Sequence, residues 1–302
     1  MPKTVVLSSA EFDQAVAGRP VQLWNSATAA RCYPRVLSLS CLSSNGNVLG
    51  LWLSPLDEEG VARRPQRLLP YASPWIEPTL HPQVKHRVAA ALLAGLLDRV
   101  PEVELPMDPQ FTEVAAFFEQ GVELLCRHTR LVELRQGTDR AAQYLPSTRQ
   151  HLHVARASYD VRHEPRGRFA FNRAIVGQPP DTVAARTQSG RLLEERWDTL
   201  ALSALDVSGT CRSQVFVVRN GNHAVLLHSW FDRTAPRGAP TLLVHEAMER
   251  SIHEWGSEVF DFEGSVLPGV DNFNAGFGAV PAGYPQLRRR AQAPPEQSMD
   301  LG

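Results

Sequence analysis

Several things are scarce in this sequence, and each shortage narrows the range of functions. Lysine is almost missing: Lys3 and Lys85 are the only two, so arginine supplies nearly all the positive charge. Arginine suits bidentate phosphate contacts, although a GC-rich genome produces the same bias. No surplus charge exists either, since the 302-residue chain carries a formal net charge of −1. Any polyanion must therefore be held by a local patch. Cys32, Cys41, Cys126 and Cys211 are scattered, with no C-x-x-C pair, which argues against a zinc knuckle or disulfide framework and for a reducing compartment. The longest apolar run, 88–97, is far too short to span a bilayer. MPKTVVLSSAEFD at the N-terminus lacks the apolar core of a signal peptide. A cytoplasmic protein without membrane insertion is expected. Dinucleotide-binding G-x-G-x-x-G, Walker A and G-x-S-x-G motifs are also absent. His151 and His153 form an H-x-H pair with no third ligand nearby in sequence, so no metal is expected.

What is present is a repeat. The composition, 43% hydrophobic and 21% charged, suits two compact domains. Residues 36–42 and 48–53 are apolar runs around Asn45-Gly46-Asn47; residues 215–218 and 223–231 flank Asn220-Gly221-Asn222. Asn-Gly between apolar runs predicts hairpins with type I′ turns. An amphipathic helix follows each: Val84, Val88, Leu92 and Leu96 in one half, Val244, Met248, Ile252 and Trp255 in the other. Each helix leads to a short strand, VELPM from Val103 or EVFDFEG from Glu258. Short helices opened by Pro109 and Pro268 come next, then helix stops at Gly121 and Gly278, then strands around 131–134 and 284–287. The order hairpin, helix, strand, short helix, strand occurs twice and reads as a tandem duplication. The strand-helix-strand steps predict parallel pairing, hence mixed sheets. A further helix is expected at Leu193, Trp197, Leu200 and Ala204.

These segments resemble a known family. R-G-A-P-T-L-L-V-H-E-A from Arg237, V-F-D-F-E-G-S, G-V-D-N-F-N-A-G-F-G and Y-P-Q-L look like the C-terminal domain of Fem-type transferases, a tandem branch of the GNAT acyltransferase superfamily. L-P-Y-A-S-P at Leu69, F-F-E-Q-G at Phe117 and L-P-S-T-R-Q-H-L-H-V-A-R-A from Leu145 resemble its first domain and its linker. The resemblance implies an α/β fold of tandem GNAT-like domains with mixed sheets. The expected division is an N-terminal domain over 1–136, a basic linker over 137–167, a catalytic domain over 168–290 and a loose tail over 291–302. It also implies transfer of an acyl or aminoacyl group, from acyl-CoA or aminoacyl-tRNA, to a small-molecule or peptide amine, with no tightly bound cofactor. Asn274 stands where peptidoglycan-type members commonly carry a basic residue, and the long helical arm of some members has no room in this chain.

The candidate site follows from both lines. Read as a strand, residues 259–265 place Asp261 and Glu263 on one face, where a carboxylate can take the proton from an attacking amine. The resemblance adds Tyr284 as general acid. The loop Arg233-Thr234-Ala235-Pro236-Arg237-Gly238-Ala239 enters a helix and offers a phosphate site at Arg233, Arg237, Gly238 and Ala239, with Asn274 beside it in the donor-binding set. Arg149 and Arg156, with Arg162, Arg166, Arg168 and Arg173, form a basic patch for a charged substrate; Tyr71, Trp75 and Trp52 are candidate walls of an acceptor pocket or plain core aromatics. The competing reading is a catalytically inactive GNAT-like shell that binds a ligand or RNA.

Overall fold

In the computed structural model, which describes residues 2–63, 70–163, 197–264 and 267–290, strand β1 (Lys3–Val6) leads to helix α1 (Ser9–Val16). Ser8 and Glu11 start that helix with a reciprocal capping box. A 3₁₀ turn (Leu23–Asn25) precedes α2 (Ala27–Cys32), then β2 (Val36–Leu42), β3 (Val48–Pro55), β4 (Ala62–Arg63), β5 (Trp75–Ile76), α3 (Pro82–Leu97), β6 (Val103–Pro106), α4 (Ala115–Phe118) and β7 (Glu123–Glu133). A second 3₁₀ turn (Arg140–Gln143), α5 (Pro146–Ser158) and β8 (Asp160–His163) follow. The second half comprises β9 (Thr199–Leu205), β10 (Cys211–Asn220), β11 (His223–Phe231), α6 (Ala239–Trp255), β12 (Val259–Asp261), α7 (Pro268–Ala275) and β13 (Val280–Arg289). Proline in the first turn starts α3, α5, α6 and α7, where a missing N–H costs nothing. The expected tail, Arg166, Arg168, Arg173 and Leu193 lie outside the described residues.

The five-element order recurs in both halves as expected, with four corrections. Pro109 does not open the first short helix, since α4 begins only after Val114. The two Asn-Gly-Asn turns differ. In the second hairpin Asn220 pairs with His223, and Gly221 (φ 62) is its left-handed residue. In the first, Gly46 (φ 81) ends a turn in which its N–H reaches Ser43 O, and Ser43 N–H reaches Asn47 O. Neither has the two left-handed residues of a type I′ turn. The helix expected through Leu200 and Ala204 is strand β9. Leu200, Leu202 and Ala204 face one core and Ala201 faces another, so burial on both sides puts apolar residues on both faces and hides the period of two. The parallel pairing expected across each helix joins β11 to β12 in the second half, and in the first joins β6 to β4 instead of to the hairpin strand β3. In the first half the longer proline-rich segment intervenes: β3 pairs with β5, and β6 takes β4 as its parallel neighbour.

Two sheets result, a four-stranded one ordered β1-β2-β3-β5 and a nine-stranded one ordered β4-β6-β13-β7-β12-β11-β10-β9-β8. The last strand of each half is exchanged. β13 lies between the first-half strands β6 and β7, while β7 lies against second-half β12, with Leu131 opposite Asp261. Three cores fill the molecule. One underlies α3 and α4, and one underlies α5 and α6. The third joins the halves, with Trp24, Leu53, Tyr71 and Trp75 packed against Phe216, Val218 and Val225.

Candidate functional site

β11 forms the base of the site. β12 runs parallel to it from His223↔Val259 to Val225↔Asp261 and stops, whereas β11 continues to Phe231. A bulge at Leu227 interrupts its ladder with β10. Beyond Val225, β11 is paired with β10 alone among the described strands, and its other edge opens on a cavity of about 790 Å³. That volume is typical of small-molecule sites. The cavity is walled by Leu226 to Ser229 of β11, by the loop 232–238 with the start of α6, by Phe273 and Asn274 of α7, and by Glu263 at one end.

The loop is held from below. Asp232 accepts hydrogen bonds from the Thr234 N–H (2.8 Å) and hydroxyl (2.7 Å) and from Arg212 Nη1 (2.7 Å); the Thr234 bonds, then Arg212, keep its carboxyl below the usual range. Gly238 (φ 109) lies so close to α5 that a Cβ would meet His151 O at 2.5 Å and Ala155 Cβ at 2.9 Å. Among the described residues no side chain caps α6, and Pro240 has no N–H, so Ala239 and Thr241, which line the cavity, carry the first-turn N–H groups without a side-chain partner. Arg233 and Arg237 are exposed and make no hydrogen bond or ion pair among the described residues. Two exposed guanidiniums and a helix start without a side-chain cap are groups whose charge and dipole favour an anion.

At the cavity's end the chain turns sharply. β12 ends at Asp261, and Glu263 has φ 62, the one positive φ outside glycine among the described residues. Asp261 and Glu263 therefore do not share a strand face, contrary to the sequence expectation. Glu263 lines the cavity, whereas Asp261 is 1% exposed beneath it. Asp261 Oδ1 accepts from the Thr129 hydroxyl (2.6 Å) and the Glu263 N–H (2.9 Å), and Oδ2 from the Tyr71 hydroxyl (2.8 Å). Burial raises its carboxyl above the ordinary value against the pull of these bonds, and burial, then Asp261, drives the Tyr71 hydroxyl well up. Tyr284 packs edge-on to Tyr71 (5.3 Å between centroids) behind this turn, outside the cavity lining.

The structure thus brings Arg233, Arg237, Gly238, Ala239, Asn274 and Glu263 to one cavity. It places the other candidates elsewhere. Tyr71 and Trp75, each 2% exposed, belong to the core between the halves, and Trp52 stacks on Phe117. Arg149 binds the carbonyls of Ala142 (3.2 Å) and Tyr144 (3.0 Å). Arg156 reaches His245 Nε2 (2.7 Å), whose Nδ1 meets the Tyr144 hydroxyl (3.0 Å); burial, then Arg156, lowers that imidazole to about 4. Two arginines assigned to a substrate patch are therefore tied into the local structure. The sequence reading missed Thr129, which lies in β7 with no motif around it, and Asp108. The latter is 2% exposed, bonded to the Gln110 N–H (2.8 Å), and raised to about 7 chiefly by burial. Among the described residues no helix is long and apolar enough to cross a membrane.

No protein-family model and no curated protein matches the chain. Solved structures do. FemX aligns with a TM-score of 0.67 at 13% identity, covering 96% of this chain and 98% of FemX. A tandem GNAT protein from the clavulanic acid biosynthesis pathway aligns at 0.57 and 13%, covering 97% and 100%. L-PGS from Bacillus licheniformis aligns at 0.54 and 9%, covering 94% and 92%. At such identities the likeness concerns the fold, and it spans nearly the whole chain. The chain has the Fem-type tandem GNAT fold.

Proposed function

We propose that the protein is an N-acyltransferase that moves an acyl or aminoacyl group from a phosphate-bearing donor to an amine in the cavity beside β11. One observation carries this reading: a helix start without a side-chain cap beside Arg233 and Arg237, a strand edge that no described strand covers and a carboxylate meet in one cavity. The donor's phosphates sit at the α6 N-terminus. Its carbonyl oxygen lies against β11 beyond Val225, where backbone N–H groups hold the oxyanion. Glu263 takes the proton from the attacking amine. The new N–C bond forms as the C–S bond of a thioester, or the C–O bond of an aminoacyl ester, breaks, and the proton taken by Glu263 passes to the leaving sulfur or oxygen. Asp261, one step behind, holds Glu263 in place and does not itself touch substrate. Positioning supplies roughly 7–11 kcal/mol at best.

Calorimetry with coenzyme A and with an aminoacyl-tRNA pool, each at two salt concentrations, tests the donor. Coenzyme A binding lost in Arg233→Ala/Arg237→Ala supports a thioester donor, and salt-sensitive binding of charged tRNA alone supports aminoacyl transfer. Binding of neither sinks the reading in favour of an inactive shell.

A further inference from the structure

The cavity belongs to the second half, yet the turn that carries Glu263 into it is built against residues of the first. Glu263 (φ 62) and Gly264 (φ 68) are both left-handed. A glutamate persists in that conformation only where its surroundings over-determine it. The restraints are three side chains. Asp261 takes the Glu263 N–H on Oδ1 (2.9 Å), as an Asx-type turn does. The Thr129 hydroxyl, 0% exposed, donates to the same Asp261 oxygen (2.6 Å) and accepts the Gly264 N–H (2.7 Å). Tyr71 donates to the other oxygen (2.8 Å). A single hydroxyl thus uses its donor and acceptor together on both sides of Glu263.

The exchanged strands put Thr129 there. β7 is antiparallel to β12 through Leu131↔Asp261, and Phe262 N–H still reaches Arg130 O at 3.1 Å. Two residues further, Thr129 lies beside the point where the departing chain turns. The neighbouring Arg130 binds Asp271 of α7 with two bonds (2.6 and 2.7 Å), so the same stretch of β7 also seats the helix carrying Asn274.

We infer that Thr129 and Tyr71 are positioning residues for acyl transfer: the first half clamps Asp261 and the 261–264 turn so that Glu263 faces the cavity. This rests on the reading of Glu263 as the base, and the test separates the two. Thr129→Val keeps the shape and removes both hydrogen bonds, Thr129→Ser keeps the hydroxyl, and Tyr71→Phe removes one bond while keeping the ring. Thr129→Val is expected to lower kcat on the order of 10- to 100-fold at unchanged KM and donor affinity. Thr129→Ser recovers most of that loss, Tyr71→Phe loses less than Thr129→Val, and Thr129→Val has no further effect in Glu263→Gln. A crystal structure of Thr129→Val, a readout independent of turnover, is expected to show Glu263 relaxed to negative φ. If Glu263 keeps its left-handed conformation in both Thr129→Val and Tyr71→Phe, the clamp is refuted. If Glu263 relaxes but Glu263→Gln costs no rate, the clamp stands and the assignment of the base falls.

Discussion

Among single residues, the consequential distinction is between two carboxylates that alternation makes equivalent. Asp261 is enclosed by three hydrogen-bond donors, and Glu263, two residues on, reaches the cavity. Glu263→Gln should therefore lower kcat by roughly 10²–10⁴ with little change in KM, as steady-state kinetics with the identified donor would show; an unchanged kcat removes Glu263 as the base. Asp108 offers a test independent of activity. Burial lifts its folded carboxyl to about 7, while the unfolded chain keeps a value of about 3.9. The folded state thus binds this proton more tightly. Its contribution to stability is complete below about 4 and is lost as pH rises through about 7. Urea titrations at intervals from pH 4 to 8 should show Asp108→Asn less sensitive to rising pH than the parent chain, and equal slopes would contradict the assignment. The residues themselves were legible in the sequence, but their roles were not. Strand alternation applies only while a strand lasts, and β12 ends at Asp261.

For the elements, the start of α6 and its loop were readable because Gly-Ala-Pro before an amphipathic run marks a helix N-terminus in any context. What the sequence did not disclose is why glycine stands at 238. Positive φ is one reason, and the approach of α5 is the other. Gly238→Ala should therefore cost roughly 1–3 kcal/mol from overpacking in addition to conformational strain. Gly137 (φ 71) has nothing within 4 Å of an added Cβ and serves as the comparison. Thermal unfolding should show the larger Tm drop for Gly238→Ala, and equal drops would mean that α5 yields without cost. For donor phosphates at this helix start, Arg233→Ala and Arg237→Ala should each reduce the salt dependence of binding by about one ion per lost contact. β9 shows the opposite case. Its residues are buried on both faces, and spacings of three and four then arise without a helix.

In the whole molecule, exchange of β7 and β13 makes the halves interdependent. Either half alone would expose the edge its partner strand covers, β12 in the second and β6 in the first. Expressed separately as residues 1–136 and 137–302, neither is expected to unfold cooperatively, whereas co-expression should restore a cooperative transition. A separately expressed half with a sharp thermal transition would overturn this. The repeated element order, the proline starts of α3, α6 and α7, and the loop entering α6 were determined by sequence, because propensity, capping and periodicity act over a few neighbouring residues. The partnerships were decided by tertiary structure alone: Thr129 and Tyr71 with Asp261, Gly238 with α5, and Arg156 with His245. Each joins residues far apart in the chain, and a single hydroxyl or hydrogen in an unremarkable stretch leaves no local signal until the strands have been paired.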